Sequence, residues 1–183
     1  MQPRMPRQYA RDQGVHRADD ETGLDVEPAE AVAVARRRAV RDGDRQIDTA
    51  HLLHSLLETD AEVRAAIGDV RKVVRLLGYL VQRSIGYGLR WQSSVEDSGA
   101  LSFVKHTEGW SPVAAAAVRS ARERAARRGE ERARGIDLLA ALTADPQARA
   151  VEVLRRAGVE PAGLLARIDL ATAECVGDGG PAR

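Results

Sequence analysis

The sequence repeats itself at an offset of 86 residues, and this feature constrains the fold more than any other. Shifting the chain by 86 gives nine identical residues in the 24-residue window from 34 to 57, without a gap. The matched residues are Ala35, Arg36, Arg38, Ala39, Arg41, Gly43, Leu52, Leu53 and Leu56, which fall on Ala121, Arg122, Arg124, Ala125, Arg127, Gly129, Leu138, Leu139 and Leu142. A period of this length indicates a supersecondary unit that occurs twice in the chain.

Both copies have the apolar spacing of α-helices, and aromatic residues make up only 3% of the chain. The first copy predicts a helix capped by Asp25 and closed at Gly43, a second that begins near Asp48, a short third that ends at Gly68, and a longer fourth. The apolar stripe of the fourth helix comprises Val70, Val73, Val74, Leu77, Leu80 and Val81. The second copy repeats this order, with Ser111 as the cap of its first helix. The predicted fold class is therefore all-α, a tandem pseudo-twofold repeat of a four-helix motif with about eight helices.

Composition divides the chain into five segments. The ends are polar and lack apolar periodicity, and the centre is rich in the turn formers Gly and Ser. We predict a flexible leader (1–23), repeat one (24–83), a connecting loop (84–109), repeat two (110–175) and a flexible tail (176–183). The two repeats are expected to pack as a single domain, 24–175.

Charge and cysteine content limit the classes of partner and compartment. Twenty-eight basic residues balance twenty-seven acidic ones, which argues against nucleic acid held by bulk charge. No apolar run near the first residue predicts a signal peptide or a membrane span. Cys175 is the single cysteine, so an intrachain disulfide is impossible and a cytoplasmic location is expected.

Candidate catalytic and metal-binding residues are few. His51 and His54 lie three residues apart on the predicted second helix, a spacing that can hold a metal. We favour the interpretation in which His51 bonds the backbone, because neither a cysteine nor a third histidine lies close in sequence. No nucleophile motif and no phosphate-binding glycine-rich loop is present. We expect no enzymatic activity, no cofactor and no metal.

Local patterns in both copies resemble a known family. The second copy begins Trp110-Ser111-Pro112 and closes its first helix at Gly129, while residues 47–57 of the first read Ile-Asp-Thr-Ala-His-Leu-Leu-His-Ser-Leu-Leu. Together they resemble the Clp N-terminal (Clp repeat) domain that precedes the AAA+ modules of ClpC- and ClpA-type unfoldases. The resemblance covers about 24–170. It implies a domain that docks adaptors and substrates.

The function that the resemblance implies is that of a non-enzymatic protein- or peptide-binding module. We expect the chain to modulate a Clp unfoldase-protease as adaptor or decoy, with the unfoldase, its substrates or its adaptors as partners. Two alternatives stay open: a protein that sequesters hydrophobic cyclic peptides, and a nucleic-acid-associated regulator that acts through the Arg-rich helices. For those helices we favour a solvated face with local ion pairs.

The resemblance also implies two sets of candidate site residues. The family's phosphoarginine pockets use a glutamate that is replaced here by Ala50 and Ile136, so that recognition is expected to be lost. The neighbouring Asp48 and Asp137 are expected to cap helices. A groove for hydrophobic peptides is expected to comprise Leu24, Trp110, Tyr87, Trp91 and Phe103. The alternative is that the aromatic loop only packs over the core.

Overall fold

The computed structural model describes residues 23–85, 96 and 109–177, which form eight α-helices in two sets of four. The first set comprises α1 (Val26–Asp42), α2 (Thr49–Thr59), α3 (Ala61–Ile67) and α4 (Val70–Ser84). The second comprises α5 (Pro112–Arg127), α6 (Gly135–Leu142), α7 (Arg149–Arg156) and α8 (Pro161–Gly177). These residues form no β-sheet, and the predicted all-α fold is confirmed. None of the described helices combines the length and the apolar character needed to span a membrane.

Side chains at the helix ends explain where the helices begin. Asp25, Asp48 and Ser111 each accept a hydrogen bond from an amide of the first turn, as predicted. In α2 the capping is reciprocal, because the Asp48 carboxylate accepts from the His51 amide (2.8 Å) and His51 Nδ1 accepts from the Asp48 amide (3.1 Å). Gly43 follows α1 with a φ of 74°, a left-handed conformation that glycine adopts without strain.

Two short backbone bridges show how the two sets interlock. Leu24, before α1, pairs with Ala133, before α6, and Trp110, before α5, pairs with Ile47, before α2. Each bridge is held by a pair of backbone hydrogen bonds of 2.8 to 2.9 Å. The 86-residue offset relates Leu24 to Trp110 and Ile47 to Ala133. The two bridges are therefore one contact made twice with the roles of the sets exchanged, which is the predicted pseudo-twofold relation.

The two Leu-Leu helices, α2 and α6, form the centre of the core. Every residue of α2 from Thr49 to Leu57 is buried, and so is every residue of α6. The doubled apolar spacing accounts for this, because it places apolar side chains around most of the helix. The main apolar cluster contains residues of both sets, so neither set has a separate core.

The apolar stripe of α4 is buried only in part. The core takes Val73 and Leu80, together with Leu76 outside the predicted stripe. Val70, Val74 and Val81 of the predicted stripe are exposed. The spacing predicted the helix correctly, but it could not say which side of a broad apolar surface meets the core.

The edges of the predicted segments differ slightly from the structure. Gly23 accepts a hydrogen bond from the Ala133 amide, Ser84 ends α4, and α8 extends to Gly177. Residues 1–22, 86–95, 97–108 and 178–183 lie outside the described residues. The leader, the greater part of the connecting loop and the end of the tail stay predictions, and so does the division into domains.

Candidate functional site

The groove predicted from the sequence rests on two residues that lie in the core. Leu24 is 1% exposed and Trp110 is 4% exposed, and both belong to the main apolar cluster. Tyr87, Trp91 and Phe103, which were expected to cover the groove, lie outside the described residues. The hydrophobic-peptide groove at these residues therefore stays a prediction.

Ala50 and Ile136 hold equivalent positions in α2 and α6 but lie in different surroundings. Ala50 is fully buried, whereas Ile136 lies at the floor of a surface groove. Neither side chain has a hydrogen-bonding atom, so neither can bind a guanidinium as a glutamate would. The expected loss of phosphoarginine recognition stays a prediction.

A groove of about 330 Å³ surrounds Ile136 between α3, α6 and α8, and we call it the Ile136 groove. Its lining comprises Glu62, Ala65, Ala66, Arg134, Ile136, Arg167, Ile168, Ala171 and Thr172. Ile136 and Ile168 make the floor apolar, and the alanines of α3 and α8 are too small to fill the space between the helices. An apolar floor inside a polar rim is typical of surfaces that bind peptides and proteins.

Two arginines and one glutamate set the charge of the rim. Arg134 forms an ion pair with Glu62 across the groove. Arg167 donates hydrogen bonds to the carbonyl of Ala66 (3.3 Å) and to that of Gly163 (3.4 Å), which ties α8 to the C-terminal end of α3. One arginine charge is left without a carboxylate on this rim. The groove therefore suits a partner segment that carries an acidic residue beside an apolar one.

A second groove, of about 510 Å³, lies between α5 and the segment that joins α6 to α7. Ala116 and Ala117 of α5 form one side of it, and residues 144–148 form the other. Gly68 and Gly158, which follow α3 and α7, lie 90 residues apart instead of 86, so the second set has four extra residues between its second and third helices. The insertion therefore builds a surface feature, as insertions in loops often do.

Beneath the surface, the N-terminal ends of α2 and α7 meet at the Glu96 carboxylate, and we call this the first junction. The Thr49 amide donates to Glu96 Oε2 (2.9 Å) and the Arg149 amide donates to Oε1 (2.8 Å). The hydroxyls of Thr49 and Ser111 donate to the same carboxylate. Helix N-termini carry partial positive charge, so a buried anion is stabilised there. Nothing in the sequence distinguishes Glu96 from the turn formers around it.

The second junction is the equivalent place in the other half, where the N-terminal ends of α6 and α3 meet. Gly135 corresponds to Thr49, and a Cβ on it would lie 1.8 Å from Asp60 Oδ2. Asp60 caps α3, since its Oδ1 accepts hydrogen bonds from the amides of Glu62 (2.8 Å) and Val63 (3.1 Å). A buried carboxylate therefore lies between the two helix ends at each junction, and only glycine fits beside the second.

Asp48 lies next to the first junction and is held by basic side chains. Its Oδ2 contacts Arg149 Nη1 at 2.6 Å and also the Arg83 guanidinium. Burial alone would raise the pKa of Asp48, but the hydrogen bond and charge of His51, followed by the charges of Arg83 and Arg149, hold it well below its usual value. This ionised network links α2, α4 and α7. The capping role predicted for Asp48 is one part of it.

Asp137 has the same place in α6 that His51 has in α2. It accepts a hydrogen bond from the Arg134 amide (3.1 Å), so it closes the first turn as expected. It also contacts Arg128 at 2.7 Å, and its hydrogen bond, with that of Glu130, raises the pKa of Arg128. Buried aspartates in both halves are therefore paired with arginines.

Asp44, Asp48 and His51 place possible metal ligands within 4.8 Å of one another. His54, the second ligand considered from the sequence, is not one of them. The Arg83 guanidinium contacts both carboxylates, Asp44 at 3.2 Å. The guanidinium therefore occupies the carboxylate oxygens that would bind a divalent cation, and its positive charge would repel the cation. The cluster does not fit a metal ion.

The Arg-rich helices α1 and α5 pair with nearby acids. Arg38 contacts Glu58 and Arg124 contacts Asp169, both at 2.6 Å. These pairs lie within the chain and leave less charge for a polyanion. They are local ion pairs of the kind expected for these helices, and the choice of a solvated face over a nucleic-acid site stays a prediction.

No family model and no curated protein matches this sequence. Among solved structures, the fold is similar to the N-terminal domain of the caseinolytic protease associated chaperone ClpD from Arabidopsis thaliana, with a TM-score of 0.57 and 15% sequence identity. The similarity covers 82% of this chain and 95% of that one. At this identity it establishes the fold and transfers no residue roles. The chain therefore has the fold of a Clp N-terminal domain.

Proposed function

We propose that this chain is a non-enzymatic protein-binding module that modulates a Clp-type unfoldase-protease, as an adaptor or as a decoy. The observation that carries the proposal is the Clp N-domain fold, which matches nearly the full length of the ClpD domain. Partners of such a module are the unfoldase, its substrates or its adaptors. The proposal places the chain in the cytoplasm beside them.

The Ile136 groove is the proposed docking surface. Its apolar floor offers burial for one or two apolar side chains, each contributing about 1.5 to 3 kcal/mol when fully buried. Arg134 and Arg167 on its rim favour a segment with a neighbouring carboxylate. Ala65 of α3 and Ala171 of α8 both line the groove and are exposed, so they are the positions at which entry can be blocked.

The burial of the polar residues around Asp48 favours a structural role for them over a catalytic one. Asp48 and His51 are fully buried, and Asp48 is bound by two arginines. A substrate cannot reach these atoms without separation of α2 from α7. The network therefore contributes to the joining of the two halves.

The proposal is tested with a reconstituted ClpC-type unfoldase and its protease. The chain is added in increasing amounts while the degradation of a fluorescent substrate is followed, and binding to the unfoldase is measured separately by interferometry. An adaptor raises the rate of degradation, and a decoy lowers it. If neither the rate nor the binding signal changes at a large molar excess of the chain, the proposal is wrong.

A matched pair of substitutions locates the docking surface. Ala171→Glu places a carboxylate in the opening of the Ile136 groove and should reduce the effect about tenfold or more. Ala166→Glu is the control, because Ala166 is an exposed alanine of the same helix outside the groove. Equal effects of the two variants would remove the groove from the proposal while leaving the modulating function in place.

A further inference from the structure

The outward side of α4 carries a row of apolar side chains that the core does not use. Val70 is 76% exposed, Val74 64%, Val81 49% and Ile85, directly after the helix, 65%. Leu77 lies between them and is the one member of the row that also packs against the core, where it is partly buried. Single exposed apolar residues are common in soluble proteins, but a continuous row along one helix indicates a contact surface.

The row lies on one side of the helix because its members are spaced by four, three, four and four residues. The buried side of α4, with Val73, Leu76 and Leu80, is a separate one. The spacing from Val70 to Val81 alternates between four and three residues, which is the pattern by which two helices pack along their length. The expected occupant of this face is therefore another helix.

The outer members of the row are placed symmetrically along the helix. Val70 and Ile85 lie equally far from the point between Leu77 and Gly78, and so do Val74 and Val81. When two antiparallel copies of α4 cross at this point, each member of a pair meets the other member in the second copy. Such a contact is self-complementary, as a twofold dimer requires.

Gly78 lies at the crossing point, next to Leu77. It is an exposed helical glycine with open space where a Cβ would stand, and a glycine in a helix is destabilising relative to alanine. In the antiparallel pair, Leu77 of one copy packs on Gly78 of the other. The missing side chain lets the two helices approach closely, which gives a physical reason for a glycine at this position.

The charges of α4 favour the antiparallel orientation. Three of its four basic residues, Arg71, Lys72 and Arg75, lie in its N-terminal half, and the helix contains no acidic residue. The fourth, Arg83, is buried and paired with Asp48. A parallel pair would set the three N-terminal charges side by side. An antiparallel pair separates the two copies of Arg71 by about 20 Å along the axis, which exceeds the screening length of about 8 Å at physiological ionic strength.

We propose that this face of α4 is a self-association surface whose partner is a second copy of this chain, with the two helices antiparallel. The helix has 15 residues and is therefore only about 22 Å long. One such helix pair buries less than the roughly 800 Å² per partner of a standard interface. The dimer is therefore weak, and it forms as the protein concentration rises.

The first test measures the mass of the full chain by sedimentation across a range of concentrations. We expect the 19.8 kDa monomer to shift toward twice that mass, and the double substitution Val74→Glu with Val81→Glu to abolish the shift. Val26→Glu is the control, since Val26 is exposed at the opposite end of α1 from Asp42, the residue that contacts Ser84 of α4. A chain that stays monomeric throughout overturns the proposal and leaves the face to another protein. A dimer that survives the double substitution also overturns it.

The second test fixes the orientation by disulfide cross-linking in a Cys175→Ser background, which removes the single native cysteine. Leu77→Cys should cross-link two copies readily, because the two copies of residue 77 lie on either side of the twofold axis and Gly78 stays in place. Val70→Cys should cross-link about tenfold more slowly, since an antiparallel pair holds its two copies about 22 Å apart. Equal rates for the two variants would contradict the antiparallel arrangement.

Discussion

In the two junctions, different residues neutralise the same arrangement of helix ends. In both, the N-terminal ends of two helices meet inside the protein, and partial positive charges come together. In the first junction Glu96 supplies the carboxylate from outside both helices, and Thr49 and Arg149 donate their amides to it. In the second, Asp60 supplies it from the cap of α3, beside Gly135.

The difference shows what the pseudo-twofold symmetry preserves. Ala148 precedes α7 as Asp60 precedes α3, but it has no side chain that could cap the helix. The missing acid of the first junction is replaced by Glu96. The duplicated fold therefore preserves a negative charge at each meeting of helix ends, and not the residue that carries it.

The largest expected effect comes from copying the first junction into the second. Gly135→Thr introduces the residue found at the equivalent position of α2, but its Cβ would overlap Asp60 Oδ2. We expect a loss of about 3 kcal/mol in the free energy of unfolding, measured by urea denaturation. Adding Asp60→Ala should recover part of the loss. A single variant that loses less than about 1 kcal/mol would mean that the two junctions are interchangeable.

Removing the acid of the first junction should have the next largest effect. Glu96→Ala leaves two amides and two hydroxyls without their common acceptor, and we expect a loss of about 2 kcal/mol. Ala148→Asp in the same variant copies Asp60 and should restore about 1 kcal/mol. Both changes are read by urea denaturation. The comparison fails if Ala148→Asp lowers the stability further.

The two halves should also differ in their response to acid. Burial, and then the charge of Arg38, lowers the pKa of His54 to about 3 from 6.5, whereas the equivalent residue of α6 is Ala140. An unfolded histidine takes up a proton near pH 6.5 and the folded one does so only near pH 3. Stability should therefore fall by about 1 kcal/mol for each pH unit below 6.5.

The measurement compares urea denaturation at pH 7 and pH 5, where the carboxylates stay ionised. His54→Ala, which copies Ala140, should lower the stability at pH 7 through the cavity it creates, but it should flatten the dependence on pH. An unchanged slope in this variant would assign the acid sensitivity to another group.

The smallest expected effect concerns the helix caps that precede the Leu-Leu helices. Asp48 caps α2, but the equivalent Arg134 cannot accept a hydrogen bond and forms only an exposed ion pair with Glu62. Arg134→Ser should gain about 1 kcal/mol from the new cap and lose up to about 0.5 kcal/mol with the pair. The net gain should appear as a small rise in the melting temperature. A fall would show that the ion pair matters more than the cap.

Much of the fold was predictable because the signals are local. Residue type alone predicts that Asp25, Asp48 and Ser111 cap helices, and the structure has these caps. Gly43 and Gly68 mark helix ends as expected. Capping depends on one side chain and the next few amides, so sequence is sufficient for it. The Leu-Leu helices were placed in the core for a similar reason, since their broad apolar surface can be buried only there.

The candidate sites were less predictable because they depend on contacts between distant residues. The Ile136 groove joins α3, α6 and α8, and none of its alanines carries a signal of its own. Asp44 comes close to Asp48 and His51 because the chain turns between α1 and α2, and the sequence does not show that turn's geometry. Glu96 lies 53 residues from Arg149 in the chain, and its role is visible only when the two meet.

The sequence by itself determined the duplication, the order of the helices and the residues that begin and end them. Each of these follows from the spacing and type of neighbouring residues. The tertiary structure alone decided which side of α4 is buried, which acid serves each junction, and why Gly135 must be a glycine. Those outcomes depend on which surfaces two packed halves bring together, and a linear pattern contains no information about distances across such an interface.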